Sequence, residues 1–249
     1  MPQFRRLYSM KDSFKTLNVD DCMLKNTRID IWQYPLHTEF SEAKSLLSPD
    51  ELTRAQRYHF TRHQRRFTIA RAMLRLILAR YCATPAHKLK FEQTKYGKPW
   101  LTNTPELQFN LSHSGDMALL AVGHHYPLGI DLEFFTDRPY EGIGNHMLSI
   151  TENKALKSTP KALKALAFFH MWAQKEALIK ACGLGLSYPT QQFDVPALPS
   201  TNQLVFDSLH QQAWHMVSFQ PHVSCCAALC YNPAVTEIRY MSMRENNFA

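Results

Sequence analysis

Asp131 and Glu133 stand two residues apart in the segment Leu128-Gly129-Ile130-Asp131-Leu132-Glu133. On an extended backbone alternate residues share a face, so the two carboxylates point the same way. Further along, Trp172-Ala173-Gln174-Lys175-Glu176-Ala177-Leu178-Ile179-Lys180 reads as helix. Its spacing puts Trp172, Glu176 and Lys180 on one stripe, a carboxylate next to an ammonium. Three acidic groups gathered together repel one another unless a cation sits between them, and an all-oxygen donor set suits Mg²⁺. A lysine beside that ion calls for an anionic substrate, most simply a phosphate. Taken singly, Asp131 and Glu133 read equally well as solvated carboxylates at a strand end. Glu176 and Lys180 alone read as a surface pair worth about 0.3–0.5 kcal/mol.

The pairing of Gly-Ile-Asp-x-Glu with Trp-x-x-Lys-Glu-x-x-x-Lys resembles the Sfp-type 4′-phosphopantetheinyl transferases. Three more pieces of that family's pattern occur in order: Arg66 in a basic helix, Tyr96-Gly97-Lys98-Pro99, and Phe109-Asn110-Leu111-Ser112-His113-Ser114-Gly115. The resemblance runs from about residue 29 to about residue 243. It implies an α+β fold of two similar halves packed as a pseudo-dimer, with the active site in the cleft between them. The implied reaction moves the phosphopantetheine arm of coenzyme A onto a serine of an apo acyl or peptidyl carrier protein, releasing 3′,5′-ADP. The family pattern assigns Mg²⁺ to Asp131, Glu133 and Glu176, and a second cationic role, on coenzyme A and in catalysis, to Lys180. It assigns Arg66 to the 3′-phosphate, His113 with Ser112 to the coenzyme A phosphate region, and Lys98 to the adenine end. An arginine suits a phosphate because its planar fork binds two oxygens at once.

Glu152, in Ser149-Ile150-Thr151-Glu152, stands where the family has a glutamate proposed as the base that takes the serine proton. As a first-turn carboxylate it is equally a favourable partner of a helix dipole. Two positions depart from the pattern. In the segment 48–54, where some members carry lysines, only Arg54 supplies a cation, and Ala173 stands where a hydroxyl or thiol is common. Lys175 points roughly 100° away from Glu176 around the helix, toward the surface or a supporting role. Trp172 has apolar neighbours upstream and is expected to pack in the core.

The chain has 249 residues, 45% of them hydrophobic, enough for one large domain or two small ones. We expect an extension over residues 1–28, a first half over 29–124 and a second half with the metal ligands over 125–249. A formal charge of +7 favours an acidic partner. Six cysteines without a C-x-x-C pair, and an N-terminus lacking a continuous apolar run, point to reduced thiols in a cytoplasmic protein. No run of 18 apolar residues exists to span a membrane. A pseudo-dimer builds its cleft internally, so a monomer is expected.

Periodicity gives strands at 29–34, 89–92, 107–111, 117–122, 193–195, 215–219, 225–230 and 237–241. It gives helices from Pro49, over 65–81, from Thr151, and over 162–182, the last stopped by Gly183. Tyr96-Gly97-Lys98-Pro99 and Ser112-His113-Ser114-Gly115 separate strands and read as loops. His59 and His63 have the spacing of a metal pair, yet Arg57, Arg62, Arg65 and Arg66 around them disfavour a cation. Rival readings are a nucleic-acid-binding protein using the arginines of 57–80, and a catalytically silent carrier-binding protein. No nucleic-acid motif accompanies those arginines, so neither nucleic acid nor membrane is expected as a partner.

Overall fold

The computed structural model describes residues 22–136, 140–199 and 203–243. The chain opens on β1 (Arg28–Pro35), then α1 (Pro49–Gln56), α2 (Thr61–Cys82) and the strands β2 (Phe91–Gln93), β3 (Pro99–Leu101), β4 (Leu107–Ser114), β5 (Met117–His124) and β6 (Leu128–Phe134). It continues through α3 (Tyr140–Met147), α4 (Ile150–Ser158) and α5 (Lys161–Cys182) to β7 (Gln203–Asp207), β8 (Gln212–Phe219), β9 (Cys225–Tyr231) and β10 (Glu237–Ser242). The architecture is the expected α+β pair of halves. One four-stranded sheet runs β10-β1-β5-β4 and the other β6-β9-β8-β7, each carrying one 22-residue helix.

Strict alternation explains how both sheets come to be buried on two faces. In β5, Ala118, Leu120 and Val122 share a core with Ile69, Met73 and Ile77 of α2, while Leu119 and Ala121 turn to the other sheet. In β9, Cys226, Ala228 and Cys230 face α5, while Cys225, Ala227 and Leu229 meet the first sheet. The order of layers is therefore helix, sheet, sheet, helix. The six cysteines are free thiols, Cys225, Cys226 and Cys230 buried and Cys22, Cys82 and Cys182 half-buried.

The two halves repeat a polar device at nearly constant offset. Ser48 and Glu51 form a capping box on α1, and Ser149 and Glu152 form the same box on α4. Glu51 then pairs with Arg75 at 2.7 Å, and Glu152 with Lys175 at 2.8 Å. Arg75 also donates to the carbonyls of Ala86 and Leu89, both at 3.0 Å. Lys175 donates to those of Thr190 at 2.6 Å and Phe193 at 2.7 Å, again three residues apart. Asp30 in β1 and Asp131 in β6 hold corresponding places at the start of each half.

Several expectations need correction. Ser112, His113 and Ser114 belong to β4, where they pair with Leu119, Ala118 and Met117 of β5. Residues 193–195 are not a strand; a 3₁₀ turn at Thr190–Gln192 leads into irregular chain whose carbonyls cap Lys175. Periodicity missed α3, which contains Gly142 and Gly144, and β7, an edge strand with Leu204 and Phe206 exposed. β10, placed by the sequence reading in the second half, returns to pair in parallel with β1. Arg239 of β10 donates to both oxygens of buried Asp30, at 2.7 Å each, beside the Tyr81 hydroxyl at 2.7 Å. Of the expected extension over 1–28, residues 1–21 lie outside the described residues, and Arg28 already belongs to β1. Among the described residues no helix is long and apolar enough to cross a membrane.

Candidate active site

The halves meet where the edge strand β4 of one sheet faces β6 of the other. Asn110 accepts from the Ile130 amide at 2.8 Å, Ser112 from Leu132 at 3.2 Å, and Ser114 from Phe134 at 3.2 Å. Alternate side chains of one strand thus replace the carbonyls of a ladder, at a constant register of twenty residues, so the strands run in the same direction. Asn-x-Ser-x-Ser is the sequence of that seam. On its other face β6 lies directly on α5 at Gly129, where a Cβ would sit 2.1 Å from the Ala177 carbonyl oxygen. Only glycine permits this approach, which brings Asp131 under Glu176 and Lys180.

Asp131 is 4% exposed. Its Oδ1 accepts from Lys180 Nζ at 2.5 Å and from Ser112 Oγ at 2.9 Å, and Lys180 reaches Ser112 Oγ at 3.1 Å. Its Oδ2 is buried and has no hydrogen-bond partner. Glu133 and Glu176 line the same cleft, of about 350 Å³, with Leu111, His113 and Trp172. The three carboxylates share this cleft with the Lys180 ammonium, which is paired with Asp131, and their oxygens do not all lie within 4.8 Å of one another. Burial, and then the charge of Asp131, push the Glu176 carboxyl above its usual range against the pull of Lys180. Desolvation, with Lys180 and Arg66 nearby, lowers the pKa of His113.

A buried, unpartnered carboxylate oxygen costs free energy unless something meets it. A hard cation would answer Oδ2 and, at the same time, the repulsion that raises Glu176. The all-oxygen donor set fits Mg²⁺.

His113 and Leu111 also border a larger cavity of about 1110 Å³. That volume is at the upper end for small-molecule sites. Arg54, Lys88 and Lys90 line it, with Gly97 of the turn before β3 and Pro99 at the start of that strand. Arg71 and Arg75 also border it; both donate to Glu51, at 2.6 Å and 2.7 Å, which offsets one of their two charges. Lys88 and Lys90 are cations the sequence reading missed; the alternation His87-Lys88-Leu89-Lys90 was the available signal. A third cavity, of about 270 Å³, lies between Lys98, Asn110, Glu176 and Lys180 and shares walls with the other two, Glu176 and Lys180 with the cleft and Asn110 with the larger cavity.

Not every expected residue sits on these cavities. Arg54 does, and its guanidinium lies over the Phe67 ring. Arg66 is paired with exposed Asp116 at 2.8 Å, close enough to act on His113. Lys98 turns its ammonium away from solvent, donating to the carbonyls of Leu128 at 3.0 Å and Ala181 at 3.1 Å. It therefore clamps the C-terminus of α5 to β6, and burial draws its pKa down to about 8. Trp172, expected purely in the core, packs on Phe168 and also walls the carboxylate cleft.

Glu152 is the clearest correction. It is 2% exposed and is not among the residues lining the cleft. Its oxygens accept from the Ser149 and Val195 amides, both at 2.7 Å, and pair with Lys175, which is wholly buried rather than superficial. Each is committed to holding α4, α5 and the segment after Thr190 together. The matching Glu51 does so in the half that has no carboxylate trio.

Residues 31–125 match the family model described as 4′-phosphopantetheinyl transferase, N-terminal, and residues 127–230 match that of the 4′-phosphopantetheinyl transferase superfamily. The chain is 34% identical over 215 residues to the 4′-phosphopantetheinyl transferase HetI of Nostoc sp., covering 83% of this chain and 88% of that protein. It is 31% identical over 162 residues to the 4′-phosphopantetheinyl transferase Sfp of Bacillus subtilis, covering 65% and 71%. With the mouse L-aminoadipate-semialdehyde dehydrogenase-phosphopantetheinyl transferase it shares 30% identity over 179 residues, covering 66% and 58%. The boundary between the two family models falls at the turn between β5 and β6, where one half of the fold hands over to the other, and the chain belongs to the 4′-phosphopantetheinyl transferase superfamily.

Proposed function

We propose that this enzyme transfers the 4′-phosphopantetheine group of coenzyme A to a serine of an apo acyl or peptidyl carrier protein, with Mg²⁺ held by Asp131, Glu133 and Glu176. The observation that carries the metal assignment is Asp131 Oδ2, buried and unpartnered beside two further carboxylates. Bound there, Mg²⁺ would neutralise charge on the pyrophosphate of coenzyme A and on its leaving group.

The chain's own residues supply the rest. Lys180, poised between Asp131 and Ser112, offers an ammonium to the same phosphates. The large cavity receives the nucleotide, with Arg54, Lys88, Lys90 and His113 against its phosphates. The serine hydroxyl forms a bond to the phosphorus of the pantetheine side, and the bond to the bridging oxygen breaks, so 3′,5′-ADP departs. We assign the serine proton to Glu176, the cleft carboxyl that burial and the charge of Asp131 already favour in its protonated form; Glu152 lies outside the cleft.

Two of the arginines that favoured a nucleic-acid reading, Arg71 and Arg75, are bound to Glu51, which supports a small-ligand site over a duplex surface. We further infer a monomer, since the cleft is built between halves of one chain, and a reducing cytoplasm, where six free thiols are stable. The test is the intact mass of an apo carrier protein incubated with enzyme, coenzyme A and Mg²⁺. A gain of one phosphopantetheine that depends on Mg²⁺ is expected. No gain with several unrelated apo carriers refutes the reading.

A further inference from the structure

At the C-terminal end of α5, among residues that do not line the carboxylate cleft, three unlike ligand groups converge. Cys182 ends the helix, Asp207 ends β7, and His210 lies in the turn that follows. Their ligand atoms all lie within 4.8 Å of one another, the single such group among the described residues. Asp207 Oδ2 receives both the Cys182 thiol, at 3.2 Å, and His210 Nδ1, at 2.6 Å. Its Oδ1 is occupied by the Tyr188 hydroxyl at 2.6 Å and the Leu209 amide at 3.0 Å.

We propose that Cys182, Asp207 and His210 form a second metal site, specific for a zinc-class divalent cation and separate from the oxygen-lined cleft. A thiol and an imidazole select a borderline-soft ion over Mg²⁺ or Ca²⁺. Tetrahedral zinc with its usual bond lengths sets sulfur, nitrogen and oxygen donors about 3.4–3.6 Å apart. The observed spacings of 3.2 and 2.6 Å therefore need to open by less than about 1 Å. Asp207 is fully buried and fixed by Tyr188 and the turn amides, so the carboxylate is oriented before any ion arrives. His210 is partly exposed, leaving an entry path and room for water as the fourth ligand.

Binding exchanges two hydrogen bonds for three metal bonds. The Cys182 thiol loses its proton to solvent, and the hydrogen that His210 Nδ1 shares with Asp207 leaves Nδ1 so that its lone pair can face the ion. Without metal, burial and Asp207 keep the Cys182 thiol protonated, while hydrogen bonds from Tyr188, His210 and Cys182 hold the Asp207 carboxyl down at about 2 despite its burial. The ion would tie the end of α5, two residues beyond Lys180, to the β7–β8 hairpin.

The full chain, stripped with chelator, is titrated with Co²⁺ in excess Mg²⁺, which keeps the carboxylate cleft filled. We expect a thiolate-to-cobalt charge-transfer band that saturates at one equivalent, bleaches with one equivalent of Zn²⁺, and is lost in Cys182→Ser. Should Cys182→Ser not fold, His210→Gln, in an exposed turn, decides: it should weaken Co²⁺ binding at least tenfold and abolish the rise in melting temperature that Zn²⁺ gives the unaltered protein. Absence of the band, its persistence in Cys182→Ser, or unchanged affinity in His210→Gln overturns the proposal.

Discussion

Replacing Lys175 by Met should destabilise the enzyme far more than removing any surface charge, and the structure gives the size. Lys175 is 0% exposed and Glu152 2%, so neither charge has water to fall back on. Deleting one partner of a buried pair costs about 3–5 kcal/mol, because the other charge stays buried. Lys175→Met also leaves the Thr190 and Phe193 carbonyls without their donor. For a chain of this length each kcal/mol lowers the melting temperature by about 2–4 °C, so a fall of roughly 6–20 °C follows. In the double variant Lys175→Met/Glu152→Gln no charge remains, and part of that loss should return. Urea denaturation followed by circular dichroism yields the coupling energy, expected above about 1 kcal/mol. Glu152→Gln separately distinguishes scaffold from chemistry: turnover per folded molecule should stay within about tenfold, whereas loss of a general base costs about 10²–10⁴. Lys175→Met costing less than about 1 kcal/mol, or Glu152→Gln melting normally with turnover down a hundredfold, would refute this account.

Asp131→Asn and Glu176→Gln should each lower transfer by at least about 10³-fold while melting within a few degrees of the unaltered protein, and EDTA should silence the unaltered enzyme reversibly; full turnover without metal would remove the metal assignment. Gly129→Ala should fail to give soluble protein or melt at least about 10 °C lower, since the new Cβ would meet the α5 backbone at Ala177, Lys180 and Ala181, where no side chain can yield. Lys98 has a folded pKa of about 8 against an ordinary 10.5, so between those values the unfolded chain binds more protons. Its contribution to stability therefore rises with pH across that window, and urea midpoints of the unaltered protein should improve relative to Lys98→Met from pH 8 to pH 10.

The carboxylate trio was legible because two local periods, two in a strand and four in a helix, fixed its faces before any tertiary contact was known. Ser112 and Ser114 were read as loop because small polar residues before Gly115 carry a turn signal, although they pair with β5 and turn their hydroxyls to backbone amides of β6. Helical geometry correctly turned Lys175 away from Glu176, but nothing local says that a neighbouring helix and two carbonyls cover it there. The same gap misplaced Glu152: Ser-x-x-Glu announces a capping box twice in this chain, and the repeat at Ser48 and Ser149 was the sign that its glutamate is structural. Two similar halves were expected, but their correspondence could not be read residue by residue, because it survives in a few polar positions set among unlike apolar ones. The parallel pairing of β10 with β1 has no local signature at all.

That pairing has a bearing on how the protein is made. Roughly 200 residues separate β1 from the strand that completes its edge, which at ordinary elongation rates is about 10–40 s of synthesis. Throughout that interval a nascent first half presents one side of β1 with its ladder unfilled and with Asp30 lacking the guanidinium of Arg239. Such an edge is a template for another nascent chain on the same message, so yield should depend on chaperone supply and on temperature during expression. A cargo protein fused directly behind residue 243 would crowd the last strand to dock, while truncation before β10 would open the first half rather than trim the second.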